Sequence, residues 1–466
     1  MEILSAIIQM LGGLAMFLYG IEVMGDGLKN SSGEALKRVL EKVTGNVLMG
    51  VLTGTVVTAV IQSSTATIVL AVALIGAGVL NLKQAVSIVL GANIGTTITA
   101  WLTNLAFMES GDNWLLWLFD TDTLAPIALF AGIVLIMFIK SNKTKTIGDI
   151  CIGFGILFVG LMNMTGAVMG FSESPLFVEF RSSFSKSPLQ GIIAGLVITV
   201  IVQSSSATVA MLQSLSATGA MDFAGVYPII MGINIGTCIV TAFYCFVGGS
   251  ARDSKRTGVA HVAFNTIGTV IFMIVMSLMQ HFNVFGAAFW SMTVDSTVIA
   301  VFQTLFNLIT AVLLLPFTNQ LVKLSLLVVK DEPEHIHRHP ELHTLDEHLY
   351  ISPAMALAEA NKAVAFMGSV AKANFERCCN VLISGDLSEV DKINSEEETL
   401  DNFADRADHF MIGLSKVVEF EAQDRQVDML LQTVPSFERI GDYGTTLVEL
   451  AERLKNVVGS FSEMAK

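Results

Sequence analysis

Charge is what this chain has least of. Asp, Glu, Lys and Arg make up only 15% of its 466 residues, against 53% hydrophobic residues, a balance that excludes an ordinary soluble domain and places the chain among polytopic membrane proteins. No charged residue occurs between Lys42 and Lys83, or between Lys186 and Asp222. The charge that exists is uneven: residues 1–330 hold 15 acidic and 15 basic side chains, whereas 331–466 hold 26 and 12. The whole net charge of −14 therefore belongs to the tail, and its sign excludes nucleic acid as a partner. Cysteine is scarce as well. Cys151, Cys238 and Cys245 lie in apolar segments, and Cys378 and Cys379 are helix neighbours whose side chains diverge, so no disulfide framework is expected. The N-terminus lacks a basic flank and a cleavage-like site, so Ile3 to Ile21 reads as a retained first span.

What the uncharged stretches do contain is a repeated polar phrase. Gln62-Ser63-Ser64-Thr65-Ala66-Thr67 returns as Gln203-Ser204-Ser205-Ser206-Ala207-Thr208, and 31 residues after each Gln stands the Asn of a second phrase, Gly91 to Thr97 and Gly232 to Cys238. At one offset of 141 residues Gly50, Gly54 and Thr58 also match Gly191, Gly195 and Thr199, which establishes an internal duplication. A polar cluster inside an apolar segment meets protein, water or a ligand. Two placements are open, a turn at the membrane surface or the tip of a re-entrant hairpin. In the second copy arms of about 16 residues reach roughly 24 Å, short of a hydrocarbon core of roughly 30 Å, which favours the hairpin; the longer arms of the first copy leave it open.

The expected spans are 3–21, a hairpin over 46–82, 84–108 broken at Gly91 to Thr97, and 123–139, followed by 147–170, a hairpin over 188–221, 223–247 broken at Gly232 to Cys238, 257–280 and 296–322. The fold class is thus an all-α membrane protein, an inverted-repeat transporter with two re-entrant hairpins and two broken helices, plus a soluble three-helix bundle. Its domains are a transmembrane unit over 1–330, with repeat one about 1–108 and repeat two about 147–247, a linker over 331–352 and a helical domain over 353–466. Three crossings precede the second repeat, so the two repeats should be inverted about an axis in the membrane plane. With the N-terminus outside, 13 of the 15 basic residues of 1–330 fall in the cytoplasm and only Arg181 and Lys186 outside, as the positive-inside rule asks. The loop from Asn104 to Asp122 carries acids and no base. The C-terminal domain is then cytoplasmic and the protein sits in the plasma (inner) membrane.

A helix that begins at each Gln-Ser-Ser tip brings hydroxyls and unpaired N–H groups to one point, an anion site without formal charge. The Gly-x-Asn-Ile-Gly-Thr phrases offer neutral oxygens that suit a small alkali cation. Together they read as a cation-coupled anion transporter. These four phrases, with His261-Val-Ala-Phe264-Asn265 and Thr304-Leu-Phe306-Asn307, resemble the type II sodium-phosphate cotransporters and their bacterial relatives over about residues 1–325. The resemblance implies inorganic phosphate held by Ser63, Ser64, Thr65, Ser204, Ser205 and Ser206. It implies sodium, the coupling ion, held by Gln62, Asn93, Thr96, Thr97, Gln203, Asn234, Thr237 and Asn265. No His-x-x-Phe-Asn follows Thr97, a departure from the family pattern that bears on sodium stoichiometry. The function implied is sodium-coupled phosphate transport without enzymatic catalysis, with no catalytic residues; phosphate export or phosphate sensing by the same site are the alternatives. His261 reads more simply as a packing residue, and the Gly-x-x-x-Gly pairs as close helix contacts.

Beyond Lys330 a Pro- and His-rich stretch carries His335, His337, His339, His343 and His348, a solvated linker by composition. Three amphipathic helices follow, over about 353–383, 387–420 and 423–459. Glu438-Arg439-Ile440-Gly441-Asp442 resembles a motif of PhoU-type phosphate-regulatory domains. Asp401 and Asp405, like Glu438 and Asp442, share a helix face at four-residue spacing, an arrangement able to offer carboxylates to a divalent metal. Only one three-helix unit is expected, so a function needing two would call for a homodimer or another partner.

Overall fold

The computed structural model describes residues 2–41, 46–76, 79–107, 120–139, 141–170, 187–219, 221–247, 252–330, 342, 344–351, 353–418 and 421–457. The acidic loop 108–119, Arg181, Lys186, His335, His337, His339, His343 and the side chain of His348 lie outside that description. The chain divides into two compact units, one over 1–75 and 80–332, the other over 333–466 together with 76–79.

In the first unit the helices are α1 (Glu2–Glu41), α2 (Val47–Ile61), α3 (Ser64–Gly76), α4 (Leu82–Asn104), α5 (Thr121–Phe138), α6 (Asn142–Met169), α7 (Pro188–Val202), α8 (Ser205–Ser216), α9 (Phe223–Val247), α10 (Arg252–His281), α11 (Ser296–Leu314) and α12 (Thr318–Val328). Among the described residues seven helical stretches are long and apolar enough to cross a membrane, the last of them joining α11 and α12 through a short turn of 3-10 helix, Leu315–Phe317. The protein is thus an all-helical, multi-pass membrane protein. α2, α3 and α7 are apolar but too short to join that set.

Each repeat contains a short helix, an interruption at Gln, and a second short helix: α2 and α3 in the first copy, α7 and α8 in the second. The interruption has the same form in both. Gln62 and Gln203 end their helices in the left-handed conformation, φ 59° and 57°, and each donates its N–H to the carbonyl four residues back, on Thr58 and Thr199, at 2.8 Å. A non-glycine residue in this conformation costs about 1–2 kcal/mol, so the matched geometry at both sites is a built feature.

The expected breaks in the partner helices are absent: α4 runs unbroken through Gly91 to Thr97 and α9 through Gly232 to Cys238. The polar side chains are satisfied without unwinding. Asn93 donates its amide to Val89 O at 2.8 Å, Thr96 its hydroxyl to Ala92 O at 3.0 Å, and Thr97 to Ile94 O at 2.7 Å. Asn234 and Thr237 repeat the pattern toward Ile230 O and Ile233 O at 2.8 and 2.9 Å. Such bonds back to the helix's own carbonyls compete with water and leave the ladder whole. The glycines instead allow two helices to touch. A Cβ on Gly91 would overlap the Val51 carbonyl of α2, and one on Gly232 the Ile192 carbonyl of α7, so the backbones cross in direct contact.

The second unit holds α13 (Pro353–Ser384), α14 (Val390–Ser415) and α15 (Glu421–Val457). Gly385, at φ 71°, ends α13, and the Asp386 carboxylate accepts the Ser388 N–H at 3.0 Å at the start of the next turn. Cys378, Val381, Ile393, Val448 and Ala451 form part of the shared core, the buried faces that the helical periodicity of Leu, Val and Met anticipates.

Candidate functional site

The two interruptions meet. Residues 62–65 and 203–206, with Thr199, Thr237 and Val240, line one cavity of about 50 Å³. No charged side chain lines it. α3 and α8 begin at this cavity, with Ser64 and Ser205 as their first residues. The first N–H groups of a helix have no partner within it, so two helix starts, each with the positive end of its dipole, converge on one small neutral space.

The serines divide into two roles. Ser63 Oγ accepts the Ala66 N–H and Ser204 Oγ accepts the Ala207 N–H, each at 3.2 Å, so these hydroxyls hold the helix starts. Ser64, Ser205 and Ser206 make no side-chain hydrogen bond among the described residues and border the same cavity. Thr65 Oγ1 lies 3.1 Å from Thr241 Oγ1, tying the first tip to α9 of the other repeat. Thr67 and Thr208 close each tip by donating to Ser63 O and Ser204 O at 2.9 Å.

The glutamines are not equivalent. Gln62 Nε2 donates to Ala59 O, and its Oε1 accepts the Thr99 hydroxyl at 3.0 Å. The residue that matches Thr99 in the second repeat is Val240, which offers no hydroxyl, and the Gln203 side chain has no hydrogen bond among the described residues. The first tip is therefore fastened to α4, while the second has no corresponding bond to α9.

Of the residues expected at a cation site, Gln62, Gln203 and Thr237 border the cavity. Asn93, Asn265 and His261 come together elsewhere: Asn93 Oδ1 accepts the Asn265 amide at 3.2 Å and lies 3.3 Å from His261 Nε2. All three are buried. Thr96, Thr97 and Asn234 bond back to their own helices and do not line the cavity. Thr99 and Thr241 were not signalled by the duplication, because their counterparts at the 141-residue offset are Val240 and Ala100.

In the second unit Asp401, Glu438 and Asp442 stand near Glu397, whose carboxyl is pushed up to about 7 by burial and by the like charges of Asp401 and Asp442, while Asp405 acts on Asp401 and Glu438. Burial and neighbouring carboxylates also raise Asp401 and Glu438. Among the described residues no group of three or more His, Cys, Asp or Glu is placed to hold a metal ion.

Comparison with known proteins gives the family. Residues 16–166 and 174–302 match the family described as Na+/Pi-cotransporter, and residues 364–451 match the PhoU domain. Uncharacterized protein YqeW of Bacillus subtilis is 26% identical over 68% of this chain and 96% of its own length. YjbB of Salmonella typhimurium, named as a candidate inorganic phosphate export protein, is 23% identical over 78% of this chain. Sodium-dependent phosphate transport protein 2A of Rattus norvegicus is 24% identical over 51%. The chain spans 63% of YjbB and 38% of the rat protein. No solved structure matches.

Proposed function

Because the chain belongs to the Na+/Pi-cotransporter family and carries a PhoU domain, we propose that it is a secondary active transporter that couples sodium to the movement of inorganic phosphate across the plasma membrane. The observation that carries the reading is the single uncharged cavity bordered by the helix starts of both repeats. A tetrahedral oxyanion fits such a place, since free hydroxyls at Ser64, Ser205 and Ser206 and first-turn N–H groups donate from two sides. With no fixed positive charge the anion is held weakly enough to leave, and its charge is met by a cation entering with it. Gln62, Gln203 and Thr237 bring neutral oxygens to the cavity, and Asn93 and Asn265 offer others away from it.

In this reading the repeats lie inverted in the membrane, with α2–α3 and α7–α8 as re-entrant hairpins, the N-terminus outside and the C-terminal unit cytoplasmic. Each hairpin gates one side. The tail regulates transport. Radiolabelled phosphate uptake into proteoliposomes, measured with and without an inward sodium gradient, tests the proposal: saturable uptake that needs sodium is expected. Saturable phosphate binding without uptake would point to a sensor, and non-saturating sodium-independent flux to a channel. A second reading, export, is favoured by the name of YjbB, which aligns with most of this chain. Preloaded vesicles with the sodium gradient reversed distinguish it by net efflux.

A further inference from the structure

The neutral oxygens of the transport unit are not all at the hairpin tips. Asn265 Oδ1, Thr269 Oγ1, Gln303 Oε1, Asn307 Oδ1 and Thr310 Oγ1 are buried and have no hydrogen-bond partner. None of these five residues is more than 3% exposed. Asn265 and Thr269 share one face of α10, and Gln303, Asn307 and Thr310 share one face of α11, at spacings of three or four residues.

The two faces meet. Gly268 lies so close to Thr310 that a Cβ on it would collide with the threonine side chain. One turn on, Phe272 packs against Phe306 with ring centroids 5.0 Å apart. These two contacts fix α10 and α11 as antiparallel and put Thr269, Thr310 and Asn307 at one level, with Asn265 a turn to one side and Gln303 a turn to the other. α4 completes the wall. Its Trp101 donates to Thr304 at 3.0 Å, and its Asn93 accepts the Asn265 amide.

The chemistry of the group is one-sided. Asn265 and Asn307 each spend their amide N–H on the carbonyl four residues back, at 3.2 and 2.9 Å, which turns their carbonyl oxygens outward. Thr257 and Thr304 of these helices donate to their own backbone, but Thr269 and Thr310 do not. The result is a set of unpaired neutral oxygens, amide carbonyls and hydroxyls, in a place that carries no carboxylate. Leaving such groups buried and unpaired is destabilising. A cation removes that cost, and neutral hard oxygens select a monovalent alkali ion over a divalent one.

We infer that Asn265, Thr269, Asn307 and Thr310 form a sodium site between α4, α10 and α11, separate from the hairpin-tip cavity, with Gln303 at its margin. The inference rests on the sodium-coupled reading above and locates one of its ions. It gives the Thr304-Leu-Phe306-Asn307 motif a ligand, Asn307, on a helix outside both hairpins.

The test is thermal unfolding of the purified full-length protein in phosphate-free buffer, with sodium chloride titrated against choline chloride. Wild type should be stabilised by sodium. Asn307→Leu and Thr310→Val should lose that response and, because they remove unpaired oxygens, be as stable as wild type or more so in choline. In proteoliposomes the same variants should raise the sodium concentration for half-maximal phosphate uptake by about tenfold, the loss of one good ligand. Asn307→Asp should lower it and be less stable without sodium. Ser205→Ala, at the other site, should keep the sodium response. A wild-type sodium response in Asn307→Leu and Thr310→Val would overturn the site while leaving sodium coupling intact. No effect of sodium on either stability or uptake of wild type would overturn both.

Discussion

Ser64 and Ser205 open two helices at the same cavity, and their hydroxyls have no other bond among the described residues. Ser63 and Ser204 occupy the neighbouring positions with the same chemistry but spend it on first-turn N–H groups. The two pairs should therefore fail differently. Ser64→Ala or Ser205→Ala removes a donor to a charged ligand, worth about 1.5–3 kcal/mol, and should raise the phosphate concentration for half-maximal uptake by about tenfold or more, with unfolding little changed. Ser204→Ala should instead cost about 1 kcal/mol of stability through loss of the cap. Uptake kinetics combined with thermal unfolding separate the two, and an unchanged half-maximal concentration in both Ser64→Ala and Ser205→Ala would remove the anion site from the tips. Both pairs are legible in the sequence because the same letters recur at one offset. The division of labour within them is not, since it depends on which hydroxyl faces the first-turn N–H. Thr99 and Thr241 escape detection for the opposite reason: they act where the repeats differ.

At the scale of elements, the short helices that stop at Gln62 and Gln203 could be read from the uncharged arms and the polar phrase between them. The continuity of α4 and α9 could not. Gly, Asn and Thr in one cluster have poor helix propensity and suggest unwinding, but the glycines meet a crossing backbone and the polar side chains bond to their own helix. Tertiary packing decides, and propensity loses. Replacing Gly91 by Val would drive its side chain into the Val51 carbonyl, an overpacking cost of about 1–3 kcal/mol that should separate α2 from α4 and lower transport. Gly12→Val, with nothing near its missing Cβ, is the control. Equal detergent-solubilised unfolding temperatures for the two would contradict the crossing. The carboxylates between α14 and α15 give a prediction of another kind. Glu397 titrates near 7 in the folded unit, above its value in an unfolded chain, so the folded state holds a proton more tightly between about pH 4.5 and 7. Stability of this unit is then highest at the acid side of that window and falls as pH rises through it. Hydrogen exchange across 421–457, corrected for intrinsic rate, should show less protection at pH 8 than at pH 5.5, and Glu397→Gln should flatten the difference. Constant protection would show that the raised carboxyl does not bear on folding.

For the whole molecule the chain combines a duplicated membrane unit of no net charge with an acidic tail, and the duplication sets its most exposed expectation. If the repeats are inverted, the α2–α3 and α7–α8 hairpins enter from opposite sides, although their tips share one cavity. Charge counting cannot test this, because a hairpin and a pair of full spans leave the remaining loops on the same sides. Single cysteines can. In a background lacking Cys151, Cys238, Cys245, Cys378 and Cys379, Thr65→Cys should react with an impermeant thiol reagent chiefly from the cytoplasmic side, and Ser206→Cys chiefly from outside. Both replaced side chains border the cavity, so sodium together with phosphate should protect both, and neither alone should protect as well. Tips that lay at the membrane surface would label fast and show no protection. Labelling of both from one side would abolish the inverted arrangement, and with it the alternation by which one small neutral cavity could open first to one side of the membrane and then to the other.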